Sequence, residues 1–399
     1  MSRLLQGKHV VLGVSGGIAA YKAIKLARDL TLEGALVDVM LTRSALEFVQ
    51  PLPFQTLTRR KTYTDVFVPW TDELHGHISM AERADVMIVA PATANMIAKL
   101  AHGMADDMLT VSALACIAPL IVAPAMDHNM YLHPATQENL RILRTRGARI
   151  VGPERGPLAS GAIGFGRLAP TERLLDAVRA AVSANGPLRG RRVVVSAGPT
   201  RESIDPIRYV TNRSSGKMGY AIADAFLDAG AVVTLVSGPT ALRPPAEATL
   251  IPVESAQEMA NAVTASVAGA DVLVMSAAVA DYRPAEIATH KIKKSDTDLT
   301  LRMERTLDIL ASINEPGLLK VGFAAETQNL LGSAREKLTR KQLDLIVANE
   351  GPETMGSDES RAFFLVRGGE PEQLPVMPKS TLAHMIVDRV LSLLDGTRR

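Results

Sequence analysis

Two glycine turns in this 399-residue sequence have the residue types to cradle an anion. The first lies in LGVSGGIAAYK, where Gly13, Gly16 and Gly17 follow an apolar run and precede a helical pattern. Glycines there let a ligand approach the backbone, and a helix N-terminus offers free N–H groups to negative charge. The second is NRSSGKMG, residues 212–219. It is not a Walker loop. Met218 stands where a magnesium-holding hydroxyl belongs, and Thr211 stands where the loop's first glycine belongs. It reads equally well as an anion-binding helix start or as a plain helix start capped by Ser214 or Ser215.

Around the first turn, further polar groups fall at the ends of apolar runs. Ser15, Gly16 and Gly17 follow the first run, Thr42 and Ser44 lie in LTRSA, and Thr93 and Asn95 lie in APATANMIAKL. Three polar strand ends meeting in one crevice imply a bound ligand. The G-x-G-x-x-G spacing of dinucleotide sites is missing from both turns. A mononucleotide phosphate, as in FMN, fits the first turn better, and a pair of NAD-type reductase domains fits poorly. His77, in ELHGHISMAERAD ahead of a helical pattern, is the nearby residue type suited to proton transfer near neutral pH. The Met- and His-bearing loop APAMDHNMYLHPAT, 123–136, reads as a packed lid. In the second half, Lys337 and Lys341 lie four apart and share one helix face. That face either reaches a polyphosphate or is a salt-bridged surface.

The elements that must hold these groups repeat one scheme twice. HVVLGVS, LVDVMLT, VMIVAPA and LIVAPAM are continuous apolar runs in the first half. RVVVSAG, VVTLVSG, DVLVMSAA and LKVGFAAE are their counterparts in the second. Continuous rather than alternating runs predict parallel strands covered on both faces. ANGPLRGRR, 184–192, breaks the pattern and reads as the linker. The second scheme predicts a helix over 216–230 closed by Gly230. The expected fold class is α/β with two wound domains, residues 1–185 and 186–399. In such sheets ligands sit beyond the C-terminal strand ends, where both glycine turns fall.

Composition bounds the rest. The chain is 47% hydrophobic and 22% charged, with net charge +2, which argues against a dedicated nucleic-acid or membrane-surface role. One cysteine, Cys116, rules out an intrachain disulfide and a multi-cysteine zinc site, and it reads as core. No apolar run reaches membrane-spanning length and no signal peptide is evident, and with a single cysteine a cytosolic location is expected.

Taken together, GVSGGIAAYK, HIS-x-A-x-x-AD, APATAN, GMA-x-D, PAM-x-x-x-MY and G-x-GRL resemble the flavin-dependent 4'-phosphopantothenoylcysteine decarboxylases. SAGPTRESIDPIRYVTNRSSGKMG, AAVADYRP, KIKK and GFAAET resemble their fused partner, phosphopantothenate–cysteine ligase. The resemblance covers essentially the whole chain, in order, and points to the bifunctional enzymes of coenzyme A biosynthesis. It implies a flavodoxin-like flavoprotein domain followed by a ribokinase- or Rossmann-like ligase domain. It implies FMN in the first, with His77 as general base. Asp127 and Met130 then contact substrate, and Ser160 stands where many relatives carry a proton-donating cysteine. Asp127 also departs from the family's usual asparagine.

For the ligase half the resemblance implies CTP as co-substrate and an acyl-cytidylate intermediate. Asn212 holds that intermediate and Lys291, first of KIKK, stabilises phosphate. Asp281, Asp308, Ile309 and Phe323 contact the nucleotide, while Lys337 and Lys341 reach its triphosphate. Relatives read K-N-P-D-I where this chain has RTLDI, so Thr306 and Leu307 are departures. Magnesium is expected, held largely by the phosphates, with no ligand set legible in the sequence. The partners implied are 4'-phosphopantothenate, cysteine and CTP, with a homo-oligomer such as a dodecamer built from flavoprotein trimers and ligase dimers. The alternative reading keeps the ligase but makes the first half a flavin-binding oligomerisation module with impaired decarboxylase activity.

Overall fold

The computed structural model describes residues 4–67, 76–294, 298–326, 329–350 and 356–396. Contacts divide the chain into two compact units, 2–184 and 185–399 with Met1.

The first unit holds strands β1 (His9–Val14), β2 (Leu36–Leu41), β3 (Thr62–Tyr63), β4 (Val86–Ala92), β5 (Leu120–Pro124), β6 (Arg149–Ile150), β7 (Glu154–Pro157) and β8 (Ile163–Arg167). Its helices are α1 (Tyr21–Leu32), α2 (Pro51–Thr58), α3 (Gly76–Arg83), α4 (Ala94–His102), α5 (Met108–Ala115), α6 (His128–Leu132), α7 (Pro134–Thr145) and α8 (Thr171–Ser183). The main sheet is parallel, in the order β3-β2-β1-β4-β5-β6. Without the two-residue edge strand β3 this is the 2-1-3-4-5 order of flavodoxin-like sheets, in line with the sequence expectation. All seven residues of β4 are buried. Leu12, Val39 and Ile88 face α1 and α8 on one side of the sheet. Met40, Met87 and Val89 face α4, α5 and α7 on the other.

The second unit adds β9 (Arg192–Ala197), β10 (Arg201–Ser203), β11 (Tyr209–Thr211), β12 (Val232–Ser237), β13 (Thr249–Pro252), β14 (Val272–Met275), β15 (Tyr282–Pro284), β16 (Met303–Arg305), β17 (Leu319–Glu326), β18 (Leu345–Glu350), β19 (Glu359–Ser360), β20 (Phe363–Val366), β21 (Glu372–Gln373) and β22 (Met377–Pro378). Its helices are α9 (Lys217–Asp228), α10 (Ala256–Ser266), α11 (Ile309–Ser312), α12 (Leu330–Arg340) and α13 (Lys379–Gly396). The sheet order is β13-β12-β9-β14-β17-β18-β20-β21. The first six strands are parallel in the Rossmann 3-2-1-4-5-6 order, and β20 and β21 close the edge antiparallel. Phe226 and Ile386 cover one face of this sheet, and Met259 and Leu338 the other. The expected helix after the second glycine turn is α9, and Gly230 follows it with φ 87°.

The stretch read as a linker is partly core. Leu188 is 1% exposed and donates its N–H to the Ala229 carbonyl at 2.8 Å. Leucine in that run is an anchor for the second unit, not a spacer residue.

The glycines of NRSSGKMG have separate physical reasons. Gly216 caps α9 with φ 78°, a left-handed conformation that favours glycine. Gly219 brings α9 against β9, because a Cβ there would meet the Ala197 Cβ at 2.5 Å and backbone atoms at 3.0 Å. Neither strand nor helix backbone yields cheaply. Gly219→Ala should therefore destabilise the second unit by about 1–3 kcal/mol, read as a lowered urea midpoint; an unchanged midpoint would show that the α9–β9 approach can relax.

Candidate active sites

In the first unit the strand order reverses between β1 and β4, which opens a crevice at their C-terminal ends. Ser15 bridges it. Its Oγ donates to the Pro91 carbonyl at 2.8 Å and accepts the Thr93 N–H at 2.9 Å. Ser15 is 2% exposed, so its hydroxyl fixes the crevice walls and is not presented to a ligand. Buried Thr42 is similar, its Oγ1 accepting the Ala45 N–H at 3.2 Å. Thr93 caps α4 by accepting the Met96 N–H. Ser44 and Asn95 are exposed at the rim. Gly16 is required by close approach, since a Cβ would lie 2.4 Å from the Ser44 Cβ, whereas a Cβ on Gly17 would touch only Thr93 at 3.5 Å. Gly17 opens the short helical turn Ile18–Ala20 before α1, with no side-chain cap. What the crevice presents is uncapped backbone N–H at a helix start, a cradle for an anion.

The β7–β8 hairpin packs on the start of α6. The Met126 N–H reaches the Gly166 carbonyl at 3.0 Å, and the Phe165 N–H reaches His128 Nδ1 at 3.1 Å. Gly166, φ 145°, has room for no side chain because a Cβ would sit 2.0 Å from the Met126 carbonyl oxygen. At the hairpin tip, Ser160 Oγ donates to Asp127 Oδ2 at 2.7 Å. Asp127 also caps α6, its Oδ1 accepting the Asn129 N–H at 3.1 Å. The Ser160 hydroxyl first, and the Asn129 N–H second, hold the Asp127 carboxyl below the ordinary carboxylate range. Sequence patterns did not pair these two residues, which lie 33 positions apart. Met130 is half exposed on α6. His77 falls inside α3 and not ahead of it; its side chain lies outside the described residues. Cys116 ends α5, and burial pushes its thiol pKa up.

In the second unit one cavity of about 810 Å³ lies beyond β9, β14 and β17. It gathers Asn212, Asp281, Asp308, Ile309, Phe323, Lys337 and Lys341. Lys291 does not line it; that residue is exposed on the segment after β15. The neighbouring Ile292 is held from both sides, its N–H by Asp205 Oδ2 at 3.1 Å and its carbonyl by Arg208 Nη2 at 2.6 Å. Asn212 spends its amide N–H groups on the Ala278 and Val279 carbonyls, each at 3.1 Å. It therefore turns an acceptor, Oδ1, to any further partner. Thr306, read as a departure, ties its loop to the nucleotide motif: its Oγ1 donates to the Ala280 carbonyl at 2.6 Å and its N–H to the Asp281 carbonyl at 3.0 Å.

The two lysines of the α12 face are engaged separately. Lys337 Nζ donates to the Phe323 carbonyl at 2.6 Å, and Lys341 Nζ pairs with Asp308 Oδ1 at 2.8 Å. Burial pushes the Asp308 carboxyl up, and the Lys341 ammonium, with the Ala311 N–H and Arg340, more than offsets it, so its pKa is lowered. Sequence reasoning missed Lys217, Arg305, Arg340 and Lys379, which make the cavity strongly cationic. Lys217 Nζ meets Asp358 at 2.6 Å. Lys379 is buried, bonds the Ser357 carbonyl at 2.7 Å, and has its pKa lowered by burial and by Lys217. Lys217 was visible in the glycine turn; Lys379 sits in the plain stretch MPKST and left no signal. Among the described residues, no group of three or more His, Cys, Asp or Glu side chains is placed to hold a metal, and no helix is long and apolar enough to cross a membrane.

The Flavoprotein family matches residues 1–183, and the DNA/pantothenate metabolism flavoprotein C-terminal domain matches residues 188–394. A coenzyme A biosynthesis bifunctional protein CoaBC of Bacillus subtilis (strain 168) is 44% identical over 402 residues, spanning 99% of each chain. The chain belongs to the CoaBC family. The Escherichia coli (strain K12) member is 42% identical over 403 residues, again 99% of each chain. Among solved structures, a CoaBC C-terminal domain is 41% identical with TM-score 0.46, covering 53% of this chain and 99% of that one. A PPC decarboxylase mutant complexed with pantothenoylaminoethenethiol is 31% identical with TM-score 0.40, covering 44% of this chain and 97% of that one. As a CoaBC protein, the chain is a bifunctional enzyme of coenzyme A biosynthesis, a flavoprotein decarboxylase half followed by a ligase half.

The Asp127–Ser160 bond gives a direct test. Because the folded pKa of Asp127 is depressed, the carboxylate that accepts the Ser160 hydroxyl is charged at neutral pH and is protonated only as pH falls through that lowered value. Ser160→Ala should raise the Asp127 midpoint toward the ordinary value of about 4, followed by NMR titration of the carboxyl carbon. Equal midpoints in the two proteins would mean that the bond does not persist in solution.

Proposed function

We propose that the second unit ligates cysteine to 4'-phosphopantothenate using CTP and magnesium, and that the first unit decarboxylates the product, 4'-phosphopantothenoylcysteine, with FMN. The observation that carries the ligase reading is the cationic cavity, in which the matched motif residues surround a space large enough for a nucleotide. In this reading the substrate carboxylate attacks the α-phosphorus of CTP, pyrophosphate leaves, and the cysteine amine then displaces CMP from the acyl-cytidylate. Lysine ammonium groups offset the charge that builds on the phosphates. Asn212 Oδ1 is an acceptor for a donor on the acyl intermediate. The Lys291 segment, anchored at Ile292, reaches the phosphates from the rim.

For the first unit, the uncapped turn at Gly16 and Gly17 and the rim side chains Ser44 and Asn95 fit the phosphate end of FMN. When bound, FMN supplies the redox chemistry that makes loss of carbon dioxide feasible. His77 serves as general base. Asp127 and Ser160 act together on the substrate, Met130 packs beside them, and any proton that leaves Ser160 must be replaced from solvent, since the charged Asp127 carries none. Enclosure of both steps in a cytoplasmic homo-oligomer, such as a dodecamer, completes the reading.

Product analysis with phosphopantothenate, cysteine, CTP and magnesium tests the whole. Pyrophosphate, carbon dioxide and reduced 4'-phosphopantetheine should all appear, with flavin absorbance at about 450 nm. Equal ligation rates with ATP would overturn the assignment of Asp281 and Phe323 to nucleotide choice. Lys291→Gln should fold, since an exposed lysine contributes little to stability, and should fail to release pyrophosphate; normal release would remove Lys291 from the mechanism. His77→Asn should abolish carbon dioxide release while keeping flavin colour and ligation, and unchanged release would exclude His77 as the base.

A further inference from the structure

Lys320 on β17 is a buried lysine that neither motif contains; it is 8% exposed. Its ammonium does not reach the cavity. It donates instead to two backbone carbonyls, Ile313 at 3.2 Å and Lys341 at 3.0 Å. These are the C-terminal caps of α11 and α12. The N-cap of α11 is Asp308, and the side chain of Lys341 is the partner of that aspartate inside the cavity. One buried cation thus holds the ends of the two helices whose side chains form the Asp308–Lys341 pair. Three positions along the same strand, the Phe323 carbonyl receives Lys337 from α12, so strand and helix are joined by lysines in both directions. The layer between them is tight, since a Cβ on Gly322 would meet Leu343 at 2.5 Å and Leu310 at 3.3 Å. A buried ammonium is costly unless its donors are satisfied, and a cation at helix C-terminal carbonyls is the favourable arrangement. Asp344 and Arg367 are the charged groups facing it, with opposite effects on its proton, and burial lowers its pKa most.

We infer that Lys320 is a positioning residue of the ligase cavity: by clamping the carbonyls of Ile313 and Lys341 it sets the spacing of Asp308 and Lys341, and through them the binding of a nucleoside triphosphate. This rests on the reading of the cavity as the CTP site. A double-mutant cycle in the full-length protein separates that action from a general loss of stability. Lys320→Met keeps most of the stem and removes the donor; Lys320→Gln keeps a donor without the charge and serves as the second variant. Lys341→Met should raise the KM for CTP in pyrophosphate release, which tests the site itself. Lys320→Met should raise that KM about tenfold with kcat little changed, and Lys320→Gln should raise it less. In the Lys341→Met background, Lys320→Met should add almost nothing. Equal factors in both backgrounds, or a fall in kcat at unchanged KM, would overturn the positioning role while leaving the CTP site intact. No effect of Lys341→Met on KM would instead reject the site reading. Thermal unfolding of each variant identifies those that fold. Should Lys320→Met not fold, Lys320→Gln carries the same cycle, and the same two results support or overturn the role.

Discussion

Both halves of the molecule depend on the burial of a parallel sheet on both faces. Helices must then cover each side, and every crossover returns the chain to the end of the sheet where the strands begin, so the C-terminal strand ends collect together at the other. At the order reversal the flanking helices diverge and leave a crevice. Ser15 and Thr93 stand on its two walls in the first unit, and Asn212 with the Ala278–Val279 backbone does so in the second. The polar atoms that hold these walls together are among those the motifs single out. For buried Ser15 holding the walls is a first duty, because a buried hydroxyl left without a partner costs more than the bond contributes, whereas Asn212 makes its bonds at an exposed position.

The same need for partners explains how a cavity rich in lysine exists before any anion enters it. Lys341 leans on Asp308, Lys217 on Asp358 and Lys337 on a backbone carbonyl. Asp308 and Asp358 are 45% and 86% exposed, so solvent screens these pairs and each adds little to stability. In the proposed ligase reading a polyphosphate would bring several charges and many acceptor oxygens to the same ammonium groups. It can displace the carboxylates at small cost, and the released aspartates remain in reach of solvent. Weak pairing is therefore compatible with a site that is both stable when empty and ready to exchange partners.

Strand positions were legible because unbroken apolar runs have few other uses in a chain of this composition. The eight runs became strands, and the sheet orders followed from the winding. The edge strand β13 left a weaker mark, since four mostly exposed residues among polar neighbours do not distinguish a strand from a turn of helix. Motif residues of the ligase half converge because they flank consecutive strand ends. Lys291 does not line the cavity, since KIKK lies on a segment whose anchor, Ile292, is chosen by Asp205 and Arg208 far back in the sequence. Lys379 and Lys320 were invisible for a related reason: what makes each one matter is a carbonyl brought near by the fold, and a carbonyl has no sequence signature.

Asp127 and Ser160 show the opposite case, where two departures that look independent in sequence are one change in the structure. An asparagine side chain offers both donor and acceptor atoms, whereas an ionised aspartate offers only acceptors. An acceptor at position 127 needs a donor, and the hairpin supplies the Ser160 hydroxyl at 2.7 Å. A thiol there would be a weaker donor to the carboxylate, and its own ionisation would be opposed by the adjacent negative charge. Serine therefore suits aspartate better than cysteine would. With its proton directed at Asp127, the Ser160 oxygen turns lone pairs outward. The pair is a fixed acceptor surface on a carboxylate that stays charged at neutral pH, and in the proposed decarboxylase reading a proton that leaves Ser160 breaks that bond and has to be replaced from elsewhere.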